Sequence, residues 1–112
     1  MAKGDFVGEF ELYVMLALAH LGDEAYGVTI RREIEARTGR TIAIGAVYAT
    51  LSRLEEKGLV QFRISDPLPV QGGRARKYYS LTAPGTRALR HSTRMLARMT
   101  AGLSPELRGG QS

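Results

Sequence analysis

The chain begins with a segment of nearly continuous apolar residues, GEFELYVMLALAHL over residues 8–21. Two apolar stripes run along it at helical spacing: Phe10, Tyr13, Ala17 and Leu21, and beside them Leu12, Leu16 and Ala19. A helix that is apolar nearly all round must be covered on more than one side. It is either a central core helix or, as we favour, a helix that packs with one face on its own domain and with another on a second subunit.

A second helix is predicted over residues 25–38, after a Gly-Asp-Glu turn. Ile30 and Ile34 form its buried side, and Gly39 ends it in the position that favours a left-handed backbone. The β-branched run TIAI, residues 41–44, predicts one brief strand before the next helix.

The third helix is predicted over residues 45–57, and Gly58 ends it. Its buried stripe is Val47, Leu51 and Leu54, at positions i, i+4 and i+7. The opposite face carries small residues near its N-terminal end and polar residues along its length. We therefore expect this helix to approach another surface closely.

After the third helix the apolar residues alternate instead. Residues 59–64, LVQFRI, place Val60, Phe62 and Ile64 on one side, the pattern of a half-buried strand. Residues 75–81, ARKYYSL, resume the alternation, while the proline- and glycine-containing stretch SDPLPVQGG between them cannot continue a ladder. The two strands are predicted to form an antiparallel hairpin with a long basic tip.

The last helix opens at TAPG, where Thr82 can cap it and a proline occupies its first turn. Leucines recur every seven residues along it, with a serine and a methionine between them: Leu89, Ser92, Leu96, Met99 and Leu103. The opposite side is basic, with Arg87, Arg90, Arg94 and Arg98. The pattern predicts a narrow apolar seam with a basic back, followed by a frayed tail.

Composition narrows the choice of partners and of chemistry. Sixteen Lys and Arg against eleven Asp and Glu give a formal net charge of +5, which favours a polyanionic partner. The chain has no Cys, its two His are distant in sequence, and Glu55 and Glu56 diverge by about 100° on a helix. The glycines at 72 and 73 are not followed by the Lys-Ser/Thr of a phosphate-binding loop. We expect no enzyme activity, no cofactor and no metal site.

Length and the N-terminal segment suggest a single domain in the cytoplasm. A chain of 112 residues has the usual size of one domain. The N-terminus lacks a secretory pattern, and no apolar run approaches the roughly 20 residues that span a bilayer. We therefore expect a cytoplasmic protein without a membrane partner.

The order of the elements is that of a winged helix-turn-helix: helix, helix, short strand, helix, strand, basic loop, strand. The fold class is thus mainly α with a small β-hairpin (α+β), and the hairpin takes the place of the wing. Glycines let the backbone approach a phosphate or enter a minor groove, and Arg74, Arg76 and Lys77 can neutralise phosphates. Taken alone, the hairpin would fit a solubilising role equally well; behind a helix-turn-helix, DNA binding is favoured. We therefore predict a DNA-binding domain over residues 1–82, a dimerisation helix over 83–103 and a flexible tail over 104–112.

Three segments, YGVTI, GAVYATLSRLEEKGLV and GGRARKYYSLTAPG, resemble the PadR family of bacterial transcriptional regulators. The most specific part is residues 72–82, which match the family's wing motif Gly-Gly-Arg-x-Arg-Lys-Tyr-Tyr-x-Leu-Thr without a gap. In the third helix the family's Gly-Thr-Leu-Tyr-Pro run is replaced by GAVYA, so Ala46 and Ala49 stand where Thr and Pro are usual. Ala46 can still touch a thymine methyl group.

This resemblance implies a dimeric winged-helix repressor that binds double-stranded DNA. Together with the patterns above, it assigns DNA contacts to the start of the second helix, the third helix and the wing. The predicted DNA-binding residues are Tyr26, Thr41, Gly45, Ala46, Tyr48, Ala49, Thr50, Ser52, Arg53, Gly73, Arg74, Arg76 and Lys77. Tyr48 has two alternatives, since its ring could pack on the core or its hydroxyl could donate to a phosphate.

In the PadR family the C-terminal helix makes the subunit contact, often with the first helix of the partner. Our separate interpretation of both helices agrees. The predicted dimer interface is Phe10, Tyr13, Ala17, Leu89, Ser92, Leu96, Met99 and Leu103. The resemblance also implies a small apolar or aromatic effector, although a C-terminal part of one helix does not itself indicate a ligand cavity.

Two other classes of function use similar features. A non-specific DNA- or RNA-coating protein would use the same positive charge without reading bases, and would bind operator and random DNA almost equally. A winged-helix protein that binds only other proteins would tolerate the loss of Arg74, Arg76 and Lys77. Measured DNA preference separates all three.

Overall fold

The apolar N-terminal segment forms α1 (Glu9–Leu21), which lies at the centre of the fold. A computed structural model describes residues 7–66 and 75–109 of the chain. Val14, Met15 and Leu18 of α1 are buried, and α1 packs against α2, α3, α4 and the second strand. This central position explains why α1 is apolar on more than one side.

The second helix, α2 (Gly27–Thr38), begins two residues later than predicted. Its first turn is held by Thr29, whose hydroxyl accepts from the Tyr26 N–H at 2.9 Å and donates to the Glu24 carbonyl at 2.6 Å. Gly39 ends the helix with φ 74°, the left-handed conformation expected of a glycine there. The third helix, α3 (Ile44–Glu56), buries Val47, Leu51 and Leu54, as predicted.

The brief strand predicted over residues 41–44 is wrong. The segment before α3 has no regular secondary structure, and Ile44 already belongs to the helix. Ile42 is buried, and its N–H donates to the Glu35 carboxylate at 2.8 Å, which satisfies the backbone without a ladder. Ile42 therefore serves core packing, and within the described residues no strand pairs with this segment.

The predicted hairpin is present, with β1 (Val60–Ile64) antiparallel to β2 (Lys77–Leu81). Val60 and Tyr79 are buried, and the Tyr79 N–H donates to the Ala25 carbonyl at 2.8 Å, which ties β2 to the start of α2. The half-buried face predicted for β1 is wrong towards the tip, where Ile64 is 63% exposed. The core supports only the base of the hairpin.

The last long helix, α4 (Ala83–Thr100), starts as the sequence predicts. Thr82 caps it by accepting from the Gly85 N–H at 3.0 Å, and the same hydroxyl donates to the Gly58 carbonyl at 2.7 Å. The helix is three residues shorter than the predicted 83–103 segment, so Leu103 lies beyond its end. The tail predicted to be frayed contains a one-turn helix, α5 (Pro105–Arg108).

The described residues contain no helix that is both long enough and apolar enough to cross a lipid bilayer.

Candidate nucleic-acid interface

The outer face of α3 is exposed over its whole length. It carries small side chains in the first turns and two polar ones in the second half: Gly45, Ala46, Ala49, Ser52 and Arg53. Thr41, in the segment before the helix, is also exposed. Such a face lets the helix backbone approach a flat or grooved partner closely.

Thr50 does not belong to this exposed face. Only 1% of its surface is accessible, and its hydroxyl accepts a hydrogen bond from Arg53 Nη2 at 3.1 Å. The prediction of Thr50 as a direct DNA contact is therefore wrong for this structure, because the residue turns towards the core. Its position next to Leu51 on the helix brings it to the buried side.

Tyr48 packs across the start of α2. A Cβ atom placed on Gly27 would overlap the phenol end of the Tyr48 ring, so the glycine makes room for the tyrosine. Tyr48 is nevertheless 45% exposed. The phenol thus packs on α2, and donation from its hydroxyl to a phosphate stays a prediction.

Cations and aromatic rings interleave where the wing meets α2. The Arg76 guanidinium lies over the Tyr26 ring at 4.0 Å, and Arg63 lies over the Tyr78 ring at 4.6 Å. The two rings meet edge to face with centroids 5.5 Å apart, and Arg76 Nη1 is 3.3 Å from the Tyr78 hydroxyl. The hydrogen bond that Arg76 donates to the Tyr78 hydroxyl raises the pKa of Arg76 above its ordinary value. We call these four residues the arginine–tyrosine cluster.

Arg63 was missed in the sequence. The signal for it was the hairpin register, since Arg63 pairs with Tyr78 across the two strands and their side chains share a face. The ammonium group of Lys77 lies instead 3.9 Å from the centroid of the Phe62 ring, on the other face. Gly73 and Arg74 lie outside the described residues.

A buried carboxylate connects α1 to the end of α3. Glu11 is 7% exposed, and it accepts from Lys57 Nζ at 2.9 and 3.0 Å and from the Gly8 N–H at 3.0 Å. Arg53 Nε is 3.7 Å from the same carboxylate. Burial raises the pKa of Glu11, but the hydrogen bonds from Lys57 and Gly8 and the two positive charges outweigh it and lower the pKa below 4.5. Helical spacing contains no sign of this contact, which joins residues far apart in the chain.

The residues predicted for a dimer interface are not all available to a partner. Ala17 and Leu89 are buried in the core of the chain itself, so their assignment to a subunit contact is wrong. The first half of α4 folds back onto α1, whereas Leu96 and Met99 in its second half are 51% and 79% exposed. Phe10, Tyr13, Ser92 and Leu103 are half-buried. An open groove of about 1090 Å³ between α1 and α4 is bordered by Tyr13, Leu96 and Met99.

Residues 15–91 match the transcriptional regulator PadR-like family. The chain belongs to this family. Its PadR-like region contains α2, α3, both strands and the first half of α4, and therefore every described residue of the arginine–tyrosine cluster. Glu11 lies before the matched region, and the exposed residues Leu96 and Met99 lie after it.

Individual relatives agree with this assignment. The transcriptional regulator Rv3488 of Mycobacterium tuberculosis is 38% identical over 96 residues, which cover 85% of this chain and 81% of that protein. A PadR family transcription regulator from Clostridium difficile R20291 has a TM-score of 0.71 at 25% identity, covering 91% of this chain and all of that one. A PadR family regulator from Eggerthella lenta has a TM-score of 0.64 at 30% identity, covering 90% and 89%. The winged-helix fold of the PadR-like chain is thus shared with solved structures.

Proposed function

We propose that this PadR-like chain is a sequence-specific DNA-binding repressor of transcription that acts as a homodimer on an inverted-repeat operator. The observation that carries the proposal is the arginine–tyrosine cluster, which joins the wing to the N-terminal end of α2, the end that Tyr48 of α3 also contacts. Cations held on aromatic rings, together with an exposed helix face of small residues, are suited to phosphates beside a groove.

The parts of this surface have different chemistry. Arg63 and Arg76 are held on tyrosine rings, and their positive charge suits phosphate contacts. Arg53 and Ser52 on α3 can reach base edges, and the alanines beside them allow contact with thymine methyl groups. We therefore assign general affinity to the wing and sequence preference to α3.

The second half of α4 supports the homodimer. Leu96 and Met99 are large apolar residues exposed in a single chain, and they border the groove along α1. A two-fold pairing covers the same surface on both copies at once. It would also place the two α3 helices on half-sites about one helical turn apart. A small apolar or aromatic effector and a cytoplasmic location stay predictions.

Selection of bound sequences from a random duplex library tests the function. The purified protein is expected to enrich an inverted repeat, and to bind it on the order of 10³-fold more tightly than random DNA at one salt concentration. A ratio near one would indicate the coating protein instead. Unchanged DNA binding after Arg76→Ala would favour a protein-binding module.

A further inference from the structure

Arg53 is held from two sides although more than half of its side chain faces solvent. Its Nε lies 3.7 Å from the Glu11 carboxylate on α1, and its Nη2 donates to the Thr50 hydroxyl at 3.1 Å. The side chain of Arg53 is 55% exposed, whereas those of both partners are buried. On its inner side the guanidinium therefore has one hydrogen bond and one longer ion pair, and its outer side is open to solvent.

This arrangement matters because a free arginine side chain is highly flexible. Ordering it on a DNA base costs conformational entropy, and a side chain ordered beforehand loses less of it on binding. Recognition of a guanine edge requires two parallel N–H groups of the guanidinium plane. A hydrogen bond from Nη2 to Thr50 and the attraction between Nε and the Glu11 carboxylate favour one direction of that plane.

We propose that Glu11 and Thr50 are positioning residues that orient Arg53 for base recognition, so that the sequence preference of α3 depends on a carboxylate of α1. This inference rests on the proposed DNA-binding function. It gives Thr50 a role without direct DNA contact. It also assigns a function to Glu11, which lies outside the PadR-like match.

The charge balance around Glu11 separates this role from a purely structural one. One carboxylate faces two cations, Lys57 and Arg53. Neutralising Glu11 removes the negative charge that offsets these two cations, so an approaching phosphate backbone meets more positive charge. The same change removes a contact that orients Arg53. Glu11→Gln should therefore lower operator affinity and leave random-sequence affinity equal or higher. A general loss of structure would lower both.

Thr50→Val is the cleaner variant because it keeps the buried shape and replaces only the hydroxyl with a methyl group. Affinities for the selected operator and for a random duplex of equal length are compared at one salt concentration. We expect the operator preference to fall about fivefold, the effect of one lost hydrogen bond, with random binding unchanged. In an Arg53→Ala background, Thr50→Val should have no further effect. Thr93→Val, at an exposed hydroxyl of α4, is the matched control.

Two results would overturn the proposal. One is that Thr50→Val lowers operator and random-DNA affinity to the same extent; the other is that it has the same effect in the Arg53→Ala background as in the wild type. NMR relaxation of the Arg53 Nε–Hε group in the free protein provides a readout that needs no operator. The Arg53 Nε–Hε group should be more ordered than the Nε–Hε group of Arg32, an exposed arginine of α2. This order should be lost in the Thr50→Val and Glu11→Gln variants. Equal mobility in the wild type contradicts the positioning role. A protein without DNA preference, but with ordered Arg53, contradicts only the proposed function.

Discussion

Gly85, in the first turn of α4, lies directly against the carbonyl oxygen of Leu59, so closely that a Cβ atom on the glycine would overlap it. The obstacle is backbone and cannot rotate away. Thr82 is held in the same place, because its N–H donates to the Leu59 carbonyl at 3.1 Å. This contact sets where α4 leaves the winged domain.

Gly85→Ala should therefore destabilise the fold by about 1–3 kcal/mol, the usual cost of overpacking, measured by urea unfolding. Gly45→Ala is the control: a Cβ there meets no atom within 4 Å, and alanine should stabilise α3 by about 0.4–1 kcal/mol. Gly27→Ala should be intermediate, because the group it meets is the movable end of Tyr48. Equal stabilities for all three variants would contradict the close approach.

Glu11 should make stability depend on pH in the acid range. Its pKa in the folded state lies below 4.5, so its contribution is complete above the unfolded value and is lost as the pH falls through the folded one. Glu11→Gln should cost about 1–3 kcal/mol at pH 7 and weaken the fall in unfolding free energy towards acid. Urea unfolding across a pH series measures both, with Glu56→Gln, an exposed acid of α3, as the control. An unchanged acid slope would contradict the assignment.

Loss of Arg76 should weaken binding to every DNA sequence alike. Arg76→Ala removes one cation from the arginine–tyrosine cluster, and the salt dependence of log K should become shallower by about one. Arg63→Ala should act similarly, although Arg63 lies on β1 and Arg76 lies just before β2. Fluorescence anisotropy over a salt series checks this, and Arg108→Ala in α5 is the control. A change in operator preference with an unchanged salt slope would contradict a phosphate contact.

Leu96→Asp should convert the protein to a monomer at micromolar concentration. Burying an unpaired charge at an apolar two-fold contact strongly opposes association. A monomer that binds a single half-site also loses the extra DNA affinity that a dimer gains by binding both half-sites. Light scattering after size exclusion measures the mass. Arg94→Asp, on the opposite side of α4, is the control. It changes the net charge by two instead of one but leaves the apolar seam intact, so this variant should stay dimeric. A monomeric wild type, or a dimeric Leu96→Asp, would contradict the arrangement.

The sequence determined by itself those features that depend on neighbours along the chain. Spacing of apolar residues predicted the four main helices and both strands, because each element must bury one side of its own repeat. Local chemistry predicted that Gly39 ends α2 and that Thr82 caps α4. The alternation in the wing predicted that its two tyrosines face opposite ways, and only the structure showed that Tyr79 is the buried one.

Contacts between distant parts of the chain were decided only by the tertiary structure. A β-branched run at residues 41–44 forms no strand, because its ladder would need an edge that packing does not provide. Thr50 turns inward and Leu89 joins the core of its own chain, since the angle at which a helix packs selects its buried side. Glu11 contacts Lys57 and Arg53 because α1 packs against α3 in the folded chain. The periodic patterns of the sequence cannot predict a contact between residues so far apart.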